Sequence, residues 1–193
     1  MFYSCTDLAT APELQATTIA AHCYDRMFYN CTALTAAPDL PATTLEANCY
    51  DHMFSGCTGL TTAPKLPATT LVRYCYCDMF YGCTSLDIAP ELPATALADS
   101  CYYEMFGSCT ALTSSPILPA TTPEANCYQY MFMGCRNLKE ITCLAESTAS
   151  FSFRSWVDGV ASDGTFYRSP SASFWTIGVS GIPANWDVQD YQN

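Results

Sequence analysis

The pair Met-Phe recurs at positions 1, 27, 53, 79, 105 and 131, a spacing of 26 each time, with no insertion. Nothing else in the chain limits its fold as strongly. The columns Cys5, Cys31, Cys57, Cys83, Cys109, Cys135 and Leu8, Leu34, Leu60, Leu86, Leu112, Leu138 have no exception. The column from Leu14 to Leu144 is also complete, and a second Cys column (23, 49, 75, 101, 127) is followed each time by Tyr. A period of roughly 20–50 residues marks an array whose unit cannot cover its own apolar face and must stack on its neighbours. Like side chains then lie on like, Met on Met and Phe on Phe.

Within a unit, the second half predicts a short helix. Thr44 is the expected N-cap, its hydroxyl accepting from an otherwise orphan N–H. The helix runs from Leu45 to Phe54, where Cys49/Met53 and Tyr50/Phe54 are i,i+4 pairs and Cys57 continues the stripe. Pro123 falls at the first helical position of its copy, which tolerates it. The residue before the Cys column is Gly, Asn or Ser, as a helix C-terminus prefers. The first half, such as Leu34 to Pro41, suits a short extended segment, because Pro38 removes a backbone donor and disfavours helix before it. The expected fold class is α/β, with one short strand and one short helix per rung.

Phe54-Ser55-Gly56-Cys57-Thr58-Gly59-Leu60 and Phe80-Tyr81-Gly82-Cys83-Thr84-Ser85-Leu86 resemble the leucine-rich repeats of BspA-type bacterial surface proteins. The likeness covers residues 1 to about 144. It departs in period, which is longer here, and in strand pattern, where Ala-Pro-x-Leu stands in place of alternating Ile. The resemblance implies a right-handed leucine-rich-repeat-like solenoid serving as an adhesion or recognition surface on bacteria or their phages. Residues 1–144 are thus expected to form the solenoid, five full copies and a partial sixth. Residues 145–193 hold all three Trp (156, 175, 186) and turn signals at Asp158-Gly159 and Asp163-Gly164. They are expected to form a β-rich C-terminal cap, closing the last apolar rung. Residue 1 already opens a full copy, which predicts either a preceding segment or self-association through an uncapped first rung.

Composition narrows the function. With 18 acidic and 7 basic groups the formal net charge is −11, which disfavours nucleic-acid partners and docking on anionic membranes. No apolar run is long enough for a membrane span. Of 13 Cys, only Cys77 and Cys143 lie outside the two columns. Column cysteines read first as small buried apolar groups, with disulfides between columns or rungs as the alternative. No zinc-type Cys spacing occurs, so no metal and no cofactor is expected. Cys77 is placed on the exposed side of the helix. His22 and His52 are placed in solvent with no nucleophile in a catalytic frame, so no catalytic residue and no enzymatic activity are expected.

The copies differ most at positions 22, 25, 26 and 29 of the unit, which a helical wheel puts opposite the apolar stripe. These are rich in Tyr, Asn, Asp and His, whereas simple drift favours Lys, Glu and Gln; Tyr in particular suits contact surfaces. The candidate binding residues are Tyr29, His52, Tyr74, Asp78, Tyr81, Tyr103, Glu104 and Tyr130. A second candidate face is the strand side, with Thr10, Glu13, Asp39, Lys65, Ile88, Glu91, Ser114 and Ile117. The expected function is a non-enzymatic extracellular module, on a cell or virion surface, that binds a host or cell-surface protein or a glycan. The alternative is a structural spacer or fibre segment in a surface or phage appendage.

Overall fold

The computed structural model describes residues 2–192, so Met1 of the first Met-Phe pair lies outside the described residues. The segment expected to be helical is instead a chain of linked β-turns, and its backbone donors alternate between two destinations. Within a rung, Cys49 N–H donates to Glu46 O (3.2 Å), Met53 to Tyr50 O (3.2 Å) and Cys57 to Phe54 O (3.0 Å). The intervening residues donate across to the next rung: Tyr50 to Cys75 O (3.1 Å), His52 to Cys77 O (2.9 Å), Phe54 to Met79 O (3.0 Å). The same alternation recurs in every copy, so successive units are successive coils of one solenoid.

The expected helix per rung is therefore corrected: among the described residues there is no helix, and the regular elements are four parallel strands. The physical cause is a left-handed residue at every fourth position, as at Asn48 (φ 56°), His52 (φ 52°) and Gly56 (φ 74°). Each such residue reverses the local winding and turns alternate N–H groups toward the neighbouring rung, where a helix would send them to the fourth carbonyl back. The apolar stripe that suggested a helix fits both arrangements, since Cys49, Met53 and Cys57 are spaced by four. A helix of about 3.6 residues per turn would drift off such a stripe, whereas the turn coil keeps a strict period of four. The architecture is a turn-and-strand solenoid, and the α/β leucine-rich-repeat-like assignment does not hold.

This backbone yields a test with opposite signs. Arg26 sits at φ 52° with its side chain largely exposed. Left-handed geometry costs an ordinary L-residue roughly 1–2 kcal/mol, partly offset by the chain entropy that glycine loses on folding. Arg26→Gly is expected to be more stable than Arg26→Ala by about 0.5–1 kcal/mol, measured by urea unfolding. In a helix the order would reverse by about 1 kcal/mol.

On the other side of each rung the chain is extended, and its prolines limit pairing. Through the first copies only isolated parallel bridges form, one rung apart, at Thr18–Thr44, Ala36–Thr62 and Thr70–Ala96. A continuous sheet appears toward the end of the chain: β1 (Ser114–Leu118), which still carries Pro116 and a register shift there, then the proline-free β2 (Glu140–Cys143), β3 (Thr165–Arg168) and β4 (Asp187–Asp190), all parallel and in chain order. Thr142 occupies a proline position of earlier copies and regains a donor, which bonds Ser115 Oγ at 3.0 Å. Partners lie 26 residues apart at Ser114–Glu140, 25 at Glu140–Thr165 and 22 at Thr165–Asp187, so the coil tightens toward its end.

Between the two sides run the ladders that unite the rungs. Phe2, Phe28, Phe54, Phe80, Phe106 and Phe132 stack with centroids 5.5–5.8 Å apart and rings within 6° of parallel. Tyr24, Tyr50, Tyr76, Tyr102 and Tyr128 form a second stack at 5.7–6.0 Å. Cys31, Cys57, Cys83, Cys109 and Cys135 are fully buried, and each thiol donates to the Phe carbonyl of the preceding rung at 2.9–3.1 Å. The column is thus small and apolar in bulk, with a weak S–H donor that serves a second lone pair on that carbonyl. Burial pushes the Cys57 and Cys135 thiols up to about 12, so neither is a ready thiolate.

Residues 145–192 continue this design with changed residues. A further turn chain carries left-handed Phe151, Ser155 and Gly159, and accepts bonds from Tyr128, Tyr130 and Phe132 at 2.8–3.0 Å. Here Trp156 receives the Phe stack (6.0 Å from Phe132) and Phe153 receives the Tyr stack (5.5 Å from Tyr128). Trp175 then packs over Trp156 at 5.7 Å.

Candidate functional site

Adjacent positions 25 and 26 of the unit form two neighbouring columns on the turn side. Their members are Asp25-Arg26, Asp51-His52, Cys77-Asp78, Tyr103-Glu104 and Gln129-Tyr130. Because rungs are joined by backbone bonds, residues 26 apart in sequence become lateral neighbours. The result is a polar strip in which most of the candidate residues meet.

His52 is its centre. Its Nδ1 lies 2.5 Å from Asp51 Oδ1 and its Nε2 lies 3.8 Å from Asp78 Oδ2. Asp51 also accepts from Asn48 Nδ2 at 3.3 Å, and the Cys77 thiol donates to Asp78 Oδ2 at 3.0 Å. Tyr29 flanks His52 with ring centroids 6.4 Å apart, and stacks on Tyr3 at 4.9 Å. Toward the other end, Tyr103 and Tyr130 meet edge to face at 5.6 Å. Tyr81 lies against Gly107, where a Cβ would stand 2.8 Å from its ring and equally close to Glu104. Tyr74 packs instead under the Arg73 guanidinium, 4.8 Å away.

The wheel placed these positions in solvent, and the structure alters that. Asp78 and Asp51 are each 9% exposed, Cys77 is buried, and Tyr29, His52, Tyr74, Tyr81, Tyr103, Glu104 and Tyr130 are half-buried. Stacked rungs cover one another's side chains, which a single helix on a surface would not do. The exposed thiols are Cys5 and Cys23, and Cys77 is not among them. Composition also needs a second explanation. Asn48, Ser100 and Asn126 stand at left-handed positions, as do Asn30, Gly56, Gly82 and Gly134. There the backbone selects residues that tolerate positive φ, so their abundance is no sign of recognition.

Burial shapes the charges. At His52 burial opposes the imidazolium, but the Asp51 hydrogen bond and the Asp78 and Asp51 charges outweigh it, and the pKa is raised. Asp78 is raised chiefly by burial, with the Cys77 thiol and His52 opposing. Glu104 is pushed up to about 7 by burial and by Asp78, against the pull of His52. A carboxyl whose folded pKa exceeds its unfolded value binds its proton more tightly when folded, so it favours folding at low pH and loses that contribution as pH rises. Stability is expected to decline between about pH 4.5 and 7.5 with a slope that Glu104→Gln reduces, the remainder coming from Asp78 and His52, whose raised values act with the same sign, measured by urea unfolding across that range.

The candidate set omitted Asp51 and Cys77, which the structure brings against His52 and Asp78. The available signal was their position: both lie in column 25, one rung apart, beside His52 and Asp78 in column 26. Among the described residues no helix is long and apolar enough to cross a membrane. Comparison with protein-family models, curated proteins and solved structures finds no match to this chain.

Proposed function

We propose that this protein is a non-enzymatic recognition module, extracellular on a cell or virion surface, that binds a protein or glycan through its turn-side polar strip. The observation that carries this reading is the left-handed column Arg26, His52, Asp78, Glu104 and Tyr130. A parallel left-handed column, Ser4, Asn30, Gly56, Gly82, Ser108 and Gly134, uses residues that suit the geometry. Column 26 holds a different polar or aromatic side chain in each copy, although Arg, Glu and Tyr are strained there by roughly 1–2 kcal/mol each. Strain kept where side chains vary supports a display role. Half-buried Tyr rings next to carboxylates supply stacking area and hydrogen-bond acceptors, as protein and sugar surfaces require. The motif likeness of Phe54-Ser55-Gly56-Cys57 to BspA-type surface repeats supports the surface location.

The test compares Tyr103→Ser/Tyr130→Ser with Tyr74→Ser, which lies outside the strip. Binding to cells and to glycan arrays is expected to fall at least tenfold in the first and to persist in the second, with both remaining folded by circular dichroism. Unchanged binding in the first variant, or no binding by the parent protein, would favour a spacer or fibre segment whose stacking is its whole function.

A further inference from the structure

We propose that Asp51, His52, Cys77 and Asp78 form a binding site for a divalent transition metal of the zinc class. One ligand atom from each of Asp51, His52 and Asp78 lies within 4.8 Å of the others, and the Cys77 thiol touches Asp78. The donors are mixed, one nitrogen, one sulfur and two carboxylates, which is the set that a borderline-soft cation takes.

The geometry divides the roles. Asp51 Oδ1 holds His52 Nδ1, which turns Nε2 toward Asp78 Oδ2 at 3.8 Å. Two ligands of a tetrahedral zinc stand about 3.3–3.8 Å apart, so an ion between Nε2 and Oδ2 requires little movement. Cys77 Sγ lies 3.0 Å from the same carboxylate oxygen but outside the three-residue cluster, and a side-chain shift toward Nε2 would bring it in as the third ligand. Asp51 then acts as the outer carboxylate that orients a metal-bound histidine. Water completes the shell, since His52 remains half-exposed.

Charge favours the same occupant. Two carboxylates that are nine-tenths buried face one imidazole, with Glu104 adding a third acid beside Asp78. The nearest guanidinium, Arg26, is engaged by Asp25 at 3.1 Å. A dication balances this excess, and its binding displaces the Cys77 proton. The repeat supplies internal controls, because the same two columns hold Asp25-Arg26 below and Tyr103-Glu104 above, neither of which offers this set. Cys77 is also one of two cysteines outside the repeat columns.

The experiment uses the full chain, reduced, with the exposed Cys5 and Cys23 changed to Ser to remove adventitious thiols. Titration with Co²⁺ is expected to give one equivalent with thiolate-to-cobalt charge-transfer absorption, displaced by Zn²⁺. Cys77→Ser abolishes the charge-transfer band, His52→Gln and Asp78→Asn abolish tight binding, and Asp51→Asn weakens it by about 10–100-fold. Zn²⁺ also raises Tm in the parent and not in His52→Gln, with circular dichroism confirming that each variant is folded. The proposal is overturned if the folded parent takes up no Co²⁺ or Zn²⁺, or if His52→Gln and Asp78→Asn bind as the parent does. It stands or falls independently of the recognition reading.

Discussion

Phe80→Ala is expected to lower the free energy of unfolding by about 3–5 kcal/mol, measured by urea denaturation. Phe80 is fully buried at the middle of its stack, 5.8 Å from Phe54 and 5.7 Å from Phe106, with both rings 6° from parallel to its own. Removing the ring leaves two stacked neighbours with nothing between them, and the rigid rungs above and below prevent collapse into the gap. Its backbone is equally committed: the N–H donates to Met105 O at 2.9 Å, and the carbonyl accepts from Cys83 N–H and the Cys109 thiol. In a solenoid each rung touches only its neighbours, so stability is close to a sum of rung and interface contributions. A defect at the centre therefore weakens the coupling between the two halves, and the transition should broaden or divide, with a smaller denaturant slope. A loss under about 1 kcal/mol, with the slope unchanged, would contradict the stacked-ladder account.

Trp156→Ala is expected to cost a similar amount, about 3–5 kcal/mol, and in addition to produce oligomers. Trp156 is fully buried where the Phe stack ends, packed against Phe132, Phe153, Phe166 and Trp175 with centroids 5.0–6.1 Å away. Its Nε1 donates to Gly181 O at 2.8 Å, tying the last turn chain to the segment that follows it. Without the indole, the upper face of Phe132 loses its cover and a stack of parallel rungs gains an open end, the feature that terminal units of arrays exist to close. Thermal unfolding and light scattering after size exclusion read both effects. Trp156→Phe keeps a ring but no donor, so it should return the protein to the parent's oligomeric state while remaining about 1–2 kcal/mol less stable than the parent, through the unpaired carbonyl. A Trp156→Ala variant with the parent's oligomeric state and an unchanged Tm would show that the stack needs no closure.

Much of the stacking was readable in advance. Columns without exception, such as Cys31 to Cys135 and Leu34 to Leu138, are the residues that lie fully buried one rung apart. The helix was misread because Cys49, Met53 and Cys57 satisfy a four-residue repeat whether the backbone winds steadily or reverses at every fourth residue. The reversing residues, Asn48, His52 and Gly56, are one each of three types, and only the last is an unambiguous sign of positive φ. That ambiguity also made backbone-driven Asn and Ser resemble contact residues.

The polar strip divides in the same way. Its columns could be aligned from the period alone, and seven of its members half-buried or buried by their neighbours were already candidates. That His52 turns one nitrogen to Asp51 and the other to Asp78, and that Cys77 faces inward, depended on which rung donates to which.

By itself the sequence determined that this chain is a one-dimensional array with like-on-like apolar columns, because a perfect 26-residue period leaves each unit only its neighbours to bury against. The tertiary structure decided that the units are coils of linked turns and extended chain rather than of helix and strand, and that an Asp-His pair meets a Cys-Asp pair across a rung boundary. The reason is that both outcomes rest on backbone hydrogen bonds between units, and a donor's choice between its own turn and the next coil leaves almost no trace in side-chain pattern.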